Sequence, residues 1–491
     1  MRHAKLKAQV VQISLFLYFL LPLLFFIFQF RPTLDIPWSD VLAALQNSFN
    51  QSFTATAISI LLGSLISFGL FSLPERLMRV VRQALLLPQI LPVFFSALIV
   101  FSICNPFPLG FWGIVILFVT INLGLASVLI HQAATQVIGP YAVVSQVFAL
   151  GRFTFLLKIW WPLMRSHLLS AFMMIFVFCF CSFSVPIIAG GGRSTNFEML
   201  IFEKIFIESN WSLASTLCLL QILLVTVLSV SLIRDPPEVH RELKVGSYVR
   251  AKPMLALIFA YLGLYWGVYI KGVAGSLMQF DFLIQFRDQL LQAFLFSAKA
   301  LALFTALNLV LLYAWLYHYV RSGQTWHKLI HFVSTSTLVM GFSFYLIFAL
   351  RPSYDLPKLV LAASILFFIT LLKVFLQKPV ESLRRQIQVA QIFGLSSSTI
   401  IIEVIVRQLK PQFFLWFFVI SLWFMSDYAV SKAVGLQSLS LGTLAESFLT
   451  SYRMQLAYAM TFLIFILNSV FVGLLTLLAK GAYVAYKKSA L

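Results

Sequence analysis

Charge is scarce in this chain of 491 residues: Asp, Glu, Lys and Arg together make up 10%, and only 16 residues are acidic. A water-soluble domain needs about a quarter of its residues charged, so a soluble globular fold is excluded, and so is a solvated disordered chain. Cysteine is equally sparse. Cys104, Cys179, Cys181 and Cys218 mostly lie inside apolar runs and show no zinc-like spacing, which removes a disulfide scaffold and a structural metal site. Cys179 and Cys181, two apart on a helix, do not share a face. Also missing are G-x-x-x-x-G-K-[ST], H-E-x-x-H and G-x-S-x-G, the arrangements that cradle a nucleotide phosphate, hold a catalytic zinc or present a nucleophilic serine. The chain is therefore not expected to be an enzyme, and no cofactor is implied.

What is present is apolar: 61% of residues are hydrophobic and the mean hydropathy is +0.95. Runs of about 18 or more such residues recur from end to end, the length that crosses a hydrocarbon core. With no water there to satisfy the backbone, such runs must be helices or a closed barrel, and their continuity lacks a barrel's alternation. The fold class is all-α, a polytopic membrane protein. About twelve spans are predicted, centred near residues 19, 62, 93, 121, 178, 222, 262, 304, 340, 367, 421 and 467. The basic start before the first run resembles a signal peptide, but its apolar core is too long and no A-x-A site follows, so an uncleaved span is expected.

The net charge of +19 is explained by topology rather than by nucleic acid. Placing both termini in the cytoplasm puts 25 of the 35 Lys and Arg residues on the inner connections, among them Arg76, Arg79 and Arg82, and 9 on the outer ones. Lys299 alone falls well inside a span, less than two turns from the outer loop, where its stem can carry the ammonium to the interface. Asn122 and Asn308 are expected to hydrogen-bond between helices. The most polar connection, Arg234 to Pro253, falls almost at mid-chain. The chain therefore reads as two six-span halves, 1–240 and 241–491.

Each half has a long inner loop after its fourth span, at about 140–165 and about 380–411. The loops contain "VFALG" and "AQIFG", whose glycines, Gly151 and Gly394, are 243 residues apart. Val144, Val147 and Phe148, and likewise Val389, Ile392 and Phe393, fall at i, i+3, i+4. Each set predicts a short amphipathic helix presenting an apolar ridge, with the glycine supplying a left-handed exit. A pair of exposed ridges suits a dimeric partner, while a helix lying on the bilayer surface is the simpler alternative.

These loops resemble the E-A-A, three residues, Gly, nine residues, I-x-L-P signature of the inner-membrane permeases of binding-protein-dependent ABC importers. Gln388, Val389 and Ala390 stand at the E-A-A positions, Ser145, Gln146 and Val147 in the other copy, and the acidic residue is absent from both. Phe176 to Phe206, Thr120 to Ile130, and Thr443 to Phe465 with Ser451, Tyr452 and Arg453 resemble the two-half permeases for ferric iron and thiamine. The resemblance implies a multi-pass inner-membrane location. It also implies a cytoplasmic ABC ATPase dimer seated on the two ridges, a periplasmic or extracellular solute-binding protein, and a solute of the ferric iron or thiamine class.

The same resemblance implies that the fifth spans line the pathway. Ser182 and Ser184 in one, and Ser421, Ser426 and Asp427 in the other, are the polar candidates there. A carboxylate near the end of a span needs water or a partner. Membrane lipid is the remaining partner. A major-facilitator carrier would share twelve spans and two halves, but its G-x-x-x-D-R finds only "SLPERLMRVVRQ" here, with neither the glycine nor the aspartate.

Overall fold

The computed structural model describes residues 28–489, apart from positions 105, 149, 193–195, 233–250, 279–283, 323–336 and 349–351, together with scattered positions between 10 and 25. The predicted boundary at residue 240 and most of the polar connection lie outside the described residues. Among the described residues every regular element is a helix. Backbone contacts divide the chain into two compact units, Leu34–Gly275 and Met1–Thr33 with Ser276–Leu491.

In the first unit, α1 (Trp38–Leu70) is followed by α2 (Glu75–Ile90), α3 (Val93–Ile103) and α4 (Phe111–Val147). Then come α5 (Arg152–Phe180, with a π-helical turn at Leu156–Trp160), α6 (Ser184–Ala189), α7 (Phe197–Phe206), α8 (Trp211–Leu232) and α9 (Leu255–Leu277). Long α4 packs against α1, α2 and α5. Its Gly124 is required by contact: a Cβ there would sit 1.7 Å from the Leu85 carbonyl oxygen of α2. Ile66, Leu70, Val81, Leu85, Leu123 and Val128 bury one side of that contact together with Ile258 of α9. Helix α9 is fixed further by Tyr261 Oη donating to the Thr120 carbonyl at 2.8 Å, and by Ser96 and Tyr265 hydroxyls 3.0 Å apart. Close packing and interhelical hydrogen bonds are what associate helices in lipid, where burial of apolar area gives no drive.

In the second unit, α10 (Arg287–Ser322), α11 (Thr337–Phe348) and α12 (Asp355–Leu372) lead through a π-helical turn, Lys373–Gln377, to α13 (Lys378–Ser382) and α14 (Arg384–Ile392). Then come α15 (Ser397–Val406, π-helical from Ile400), α16 (Lys410–Ser426), α17 (Ala429–Ala433), α18 (Leu441–Thr450) and α19 (Met454–Ser489). Asn308 on α10 donates to Ser364 Oγ on α12 at 3.2 Å. Asn122 of the first unit likewise reaches Cys179 Sγ of α5 at 3.5 Å, so both asparagines bridge helices. Asn468 on α19 donates to the Phe418 carbonyl at 3.0 Å, and Tyr18 reaches the Leu361 carbonyl at 3.4 Å. Lys299 is exposed on α10.

The expected count of about twelve spans is not confirmed. Among the described residues seven helices are long and apolar enough to cross a membrane, or up to nine if two bent pairs each count once. The bends have a local cause. Leu91 and Pro92 are extended between α2 and α3, which meet at 97°, because proline disfavours helix at the preceding residue. Pro411 enters the first turn of α16, and α15 and α16 meet at 89°.

The two units repeat small details. Ser48 of α1 accepts the N–H of Phe197, the first residue of α7, at 2.7 Å; Ser297 of α10 accepts the N–H of Leu441, the first residue of α18, at 3.0 Å. Asn196 and Ser440 then cap those helices by accepting from the N–H groups of Met199 and Thr443.

Candidate functional site

The two predicted ridges are built differently. In the first unit Gly139-Pro140 reads as a helix breaker, yet α4 continues through it to Val147. The ridge is thus the end of a long helix, not a separate one. Val147 is 78% exposed and Phe148 72%. Ser145 is buried, its hydroxyl donating back to the Tyr141 carbonyl at 2.7 Å, so the helix has an inner and an outer face here. The side chain of Val144 lies outside the described residues. Gly151 does not make the expected left-handed exit: its φ is −65° and ψ 147°, an extended conformation open to any residue, and it stands at the N-cap of α5. Beyond it Phe155 is fully buried among Ile130, Ala134, Ile138, Trp160 and Met164, which anchors the loop to α4.

In the second unit α14 is a separate helix. Ile387 and Ala390 are buried, while Val389, Ile392 and Phe393 are 51%, 83% and 79% exposed. Gln391 Nε2 donates to the Val320 carbonyl, tying the helix to the end of α10. Gly394 has φ +72°, and its N–H donates to the Gln391 carbonyl at 3.0 Å while the Leu395 N–H donates to Ala390 at 3.2 Å. These two bonds close the helix in the manner that places a left-handed residue just past its end. In both units the glycine leads within a few residues into a π-helical turn, Leu156–Trp160 and Ile400–Val406. Such turns mark points where a helix's hydrogen-bond ladder is locally reset.

Ser182 and Ser184 lie just beyond the end of α5, Ser426 and Asp427 at the end of α16, and Ser421 within α16. Ser182 is half-buried and its carbonyl accepts from Asn196 Nδ2 at 3.2 Å; Ser184, also half-buried, begins α6. Ser421 and Ser426 donate back to the carbonyls of Phe417 and Leu422, the bonding serine usually makes in a membrane helix. Asp427 accepts the N–H of Val430 at 2.5 Å and so caps the short α17.

Sequence reasoning missed two ion pairs, one fully buried and one with a half-buried lysine. Asp355 and Lys358, 1% and 0% exposed, pair at 2.7 Å on the first turn of α12. The same carboxylate accepts the N–H groups of Gln437 and Ser438 at 3.0 and 2.7 Å, and Lys358 donates to the Gly435 carbonyl at 3.2 Å. Lys432 of α17 pairs with Glu446 of α18 at 2.6 Å. The signal in the sequence is the opposite charges of Asp355 and Lys358 at i, i+3. Among the described residues no three His, Cys, Asp or Glu side chains cluster to hold a metal.

No family model matches the chain. Curated proteins similar to it include the thiamine transport system permease protein of Haemophilus influenzae, 27% identical over 199 residues, which is 37% of this chain and 37% of that protein. The protein of the same name from Escherichia coli is 27% identical over 193 residues, 35% of this chain and 36% of the relative. That from Salmonella typhimurium is 29% identical over 115 residues, 23% of this chain and 22% of the relative. The alignments thus span between about a fifth and little more than a third of the relatives' length. They bear out the resemblance to importer permeases of the thiamine type.

Proposed function

We propose that this chain is the membrane permease of an ABC importer, carrying thiamine or a chemically close small solute through the bilayer. The reading is carried by one observation: in both units a helix ends in an exposed apolar ridge a few residues before a glycine, and a π-helical turn follows within about six residues. An exposed apolar ridge is a docking surface, and two of them suit an ATPase dimer with one subunit on each. Val144, Val147, Phe148 and Gly151 form one seat and Val389, Ile392, Phe393 and Gly394 the other. Both seats and both termini face the cytoplasm in this reading, as the distribution of Lys and Arg favours.

Closure of the ATPase pair draws the two ridges together and rocks the halves, 1–240 and 241–491, between inward and outward access. An external solute-binding protein delivers the cargo. Ser182, Ser184, Ser426 and Asp427 border the route; the fixed carbonyl of Ser182 and the cap made by Asp427 make them wall elements rather than cargo ligands. Seating without the signature's glutamate rests on shape and apolar contact, because Gln388 and Ser145 stand at that position.

The test is uptake into vesicles holding the chain with its ATPase and binding protein. The reading predicts ATP-dependent uptake of labelled thiamine. Uptake of ferric complexes instead would move the cargo to the iron class, and uptake that ignores ATP but collapses with the proton gradient would favour a secondary carrier.

A further inference from the structure

Helix α2 divides its surface three ways. At 100° per residue, Val81, Leu85 and Pro88 form one face, and all three are buried against the unit. The adjoining face carries Leu77 and Val80, exposed at 43% and 60%. The next carries Arg76, Arg79 and Gln83, all exposed. A helix that shows protein, then apolar, then cationic faces in sequence around its axis is shaped for the boundary between acyl chains and headgroups.

Leu85 of α2 touches Gly124 of α4, so the helix is held on the unit by its buried face. The 97° bend to apolar α3 turns α2 away from that helix's direction, so the two do not cross the hydrocarbon in line. Arg79 has only an exposed, 3.9 Å contact with Glu75, the kind that contributes little.

We propose that α2 is an anionic-lipid site: Arg76 and Arg79 bind phosphate headgroups of the adjacent leaflet while Leu77 and Val80 enter its acyl chains. Charge complementarity selects the occupant, since two guanidinium groups beside apolar side chains match a phosphate joined to a hydrocarbon tail. The grip on Gly124 makes this a fixed site on the unit.

The purified full chain in neutral detergent is titrated with phosphatidylglycerol or phosphatidylcholine, and retained lipid is counted by native mass spectrometry. Phosphatidylglycerol is retained preferentially by the natural chain. Each arginine removed weakens that retention roughly fivefold, so R76Q/R79Q loses about thirtyfold. R76K/R79K keeps much of the preference, and R287Q, exposed at the start of α10, keeps all of it. Millimolar inorganic phosphate leaves the lipid bound. The proposal is overturned if the natural chain shows no preference, if R76Q/R79Q retains phosphatidylglycerol as the natural chain does, or if phosphate alone displaces it.

Discussion

The hydroxyl of Ser297 accepts the backbone N–H of Leu441 at 3.0 Å, 144 residues away, and so joins α10 to the start of α18. The counterpart, Ser48 with Phe197, does the same for α1 and α7. Both serines are buried, and an N–H left without a partner at such a site costs about 1–3 kcal/mol. Ser48→Ala and Ser297→Ala should therefore each lower the thermal midpoint of the purified chain. Thr at either position, which keeps the acceptor, should lose less.

The glycines of the two loops separate cleanly. Gly394 is at φ +72°, where a Cβ costs about 1–2 kcal/mol, whereas Gly151 is at φ −65° in a conformation any residue adopts. Gly394→Ala is expected to destabilise the chain and, by turning the exit of α14, to reduce ATP-driven uptake. Gly151→Ala should be close to neutral in both assays. Equal effects would contradict the difference in backbone geometry.

Removing one member of the buried Asp355–Lys358 pair leaves the other charge without its partner, a loss of about 3–5 kcal/mol. Lys358→Met should cause a large drop in thermal midpoint. Adding Asp355→Asn should recover part of it, because the neutral amide oxygen still accepts from Gln437 and Ser438. A double variant less stable than Lys358→Met alone would show that the carboxylate is held by those N–H groups and not by the lysine.

Tyr452 is a non-glycine residue at φ +56°, just past the end of α18, where the N–H groups of Tyr452 and Arg453 donate to the carbonyls of Leu449 and Phe448. Glycine is the usual residue there. Tyr452→Gly should raise the thermal midpoint by relieving about 1 kcal/mol of backbone strain. A lower midpoint would mean that the tyrosine ring contributes more packing than its 66% exposure indicates.

The helical class and the membrane setting were legible because long apolar runs admit few alternatives in lipid. So were the outward faces of Val389, Ile392 and Phe393 and the bridging roles of Asn122 and Asn308, since helical periodicity and the cost of a polar group in hydrocarbon act locally. Less local features were not. α4 runs through Gly139-Pro140 against their local propensity, in a helix that packs on α1 and α5. The extended backbone of Gly151 follows from the burial of Phe155 beyond it. The packing of α9 with the first unit depends on Tyr261 and Tyr265 finding partners more than a hundred residues earlier. Hydropathy counted the bent pairs as plain spans because it registers apolar length and not the direction of a helix after proline.

The central claim is that the ridges around Phe148 and Phe393 seat an ATPase. Single cysteines placed at 148 or 393, with Cys104, Cys179, Cys181 and Cys218 replaced by serine, allow cross-linking in membranes that contain the partner subunits. Capture of the ATPase from both positions, altered by ATP, is the predicted result. Cross-links to lipid alone from both positions would contradict the account.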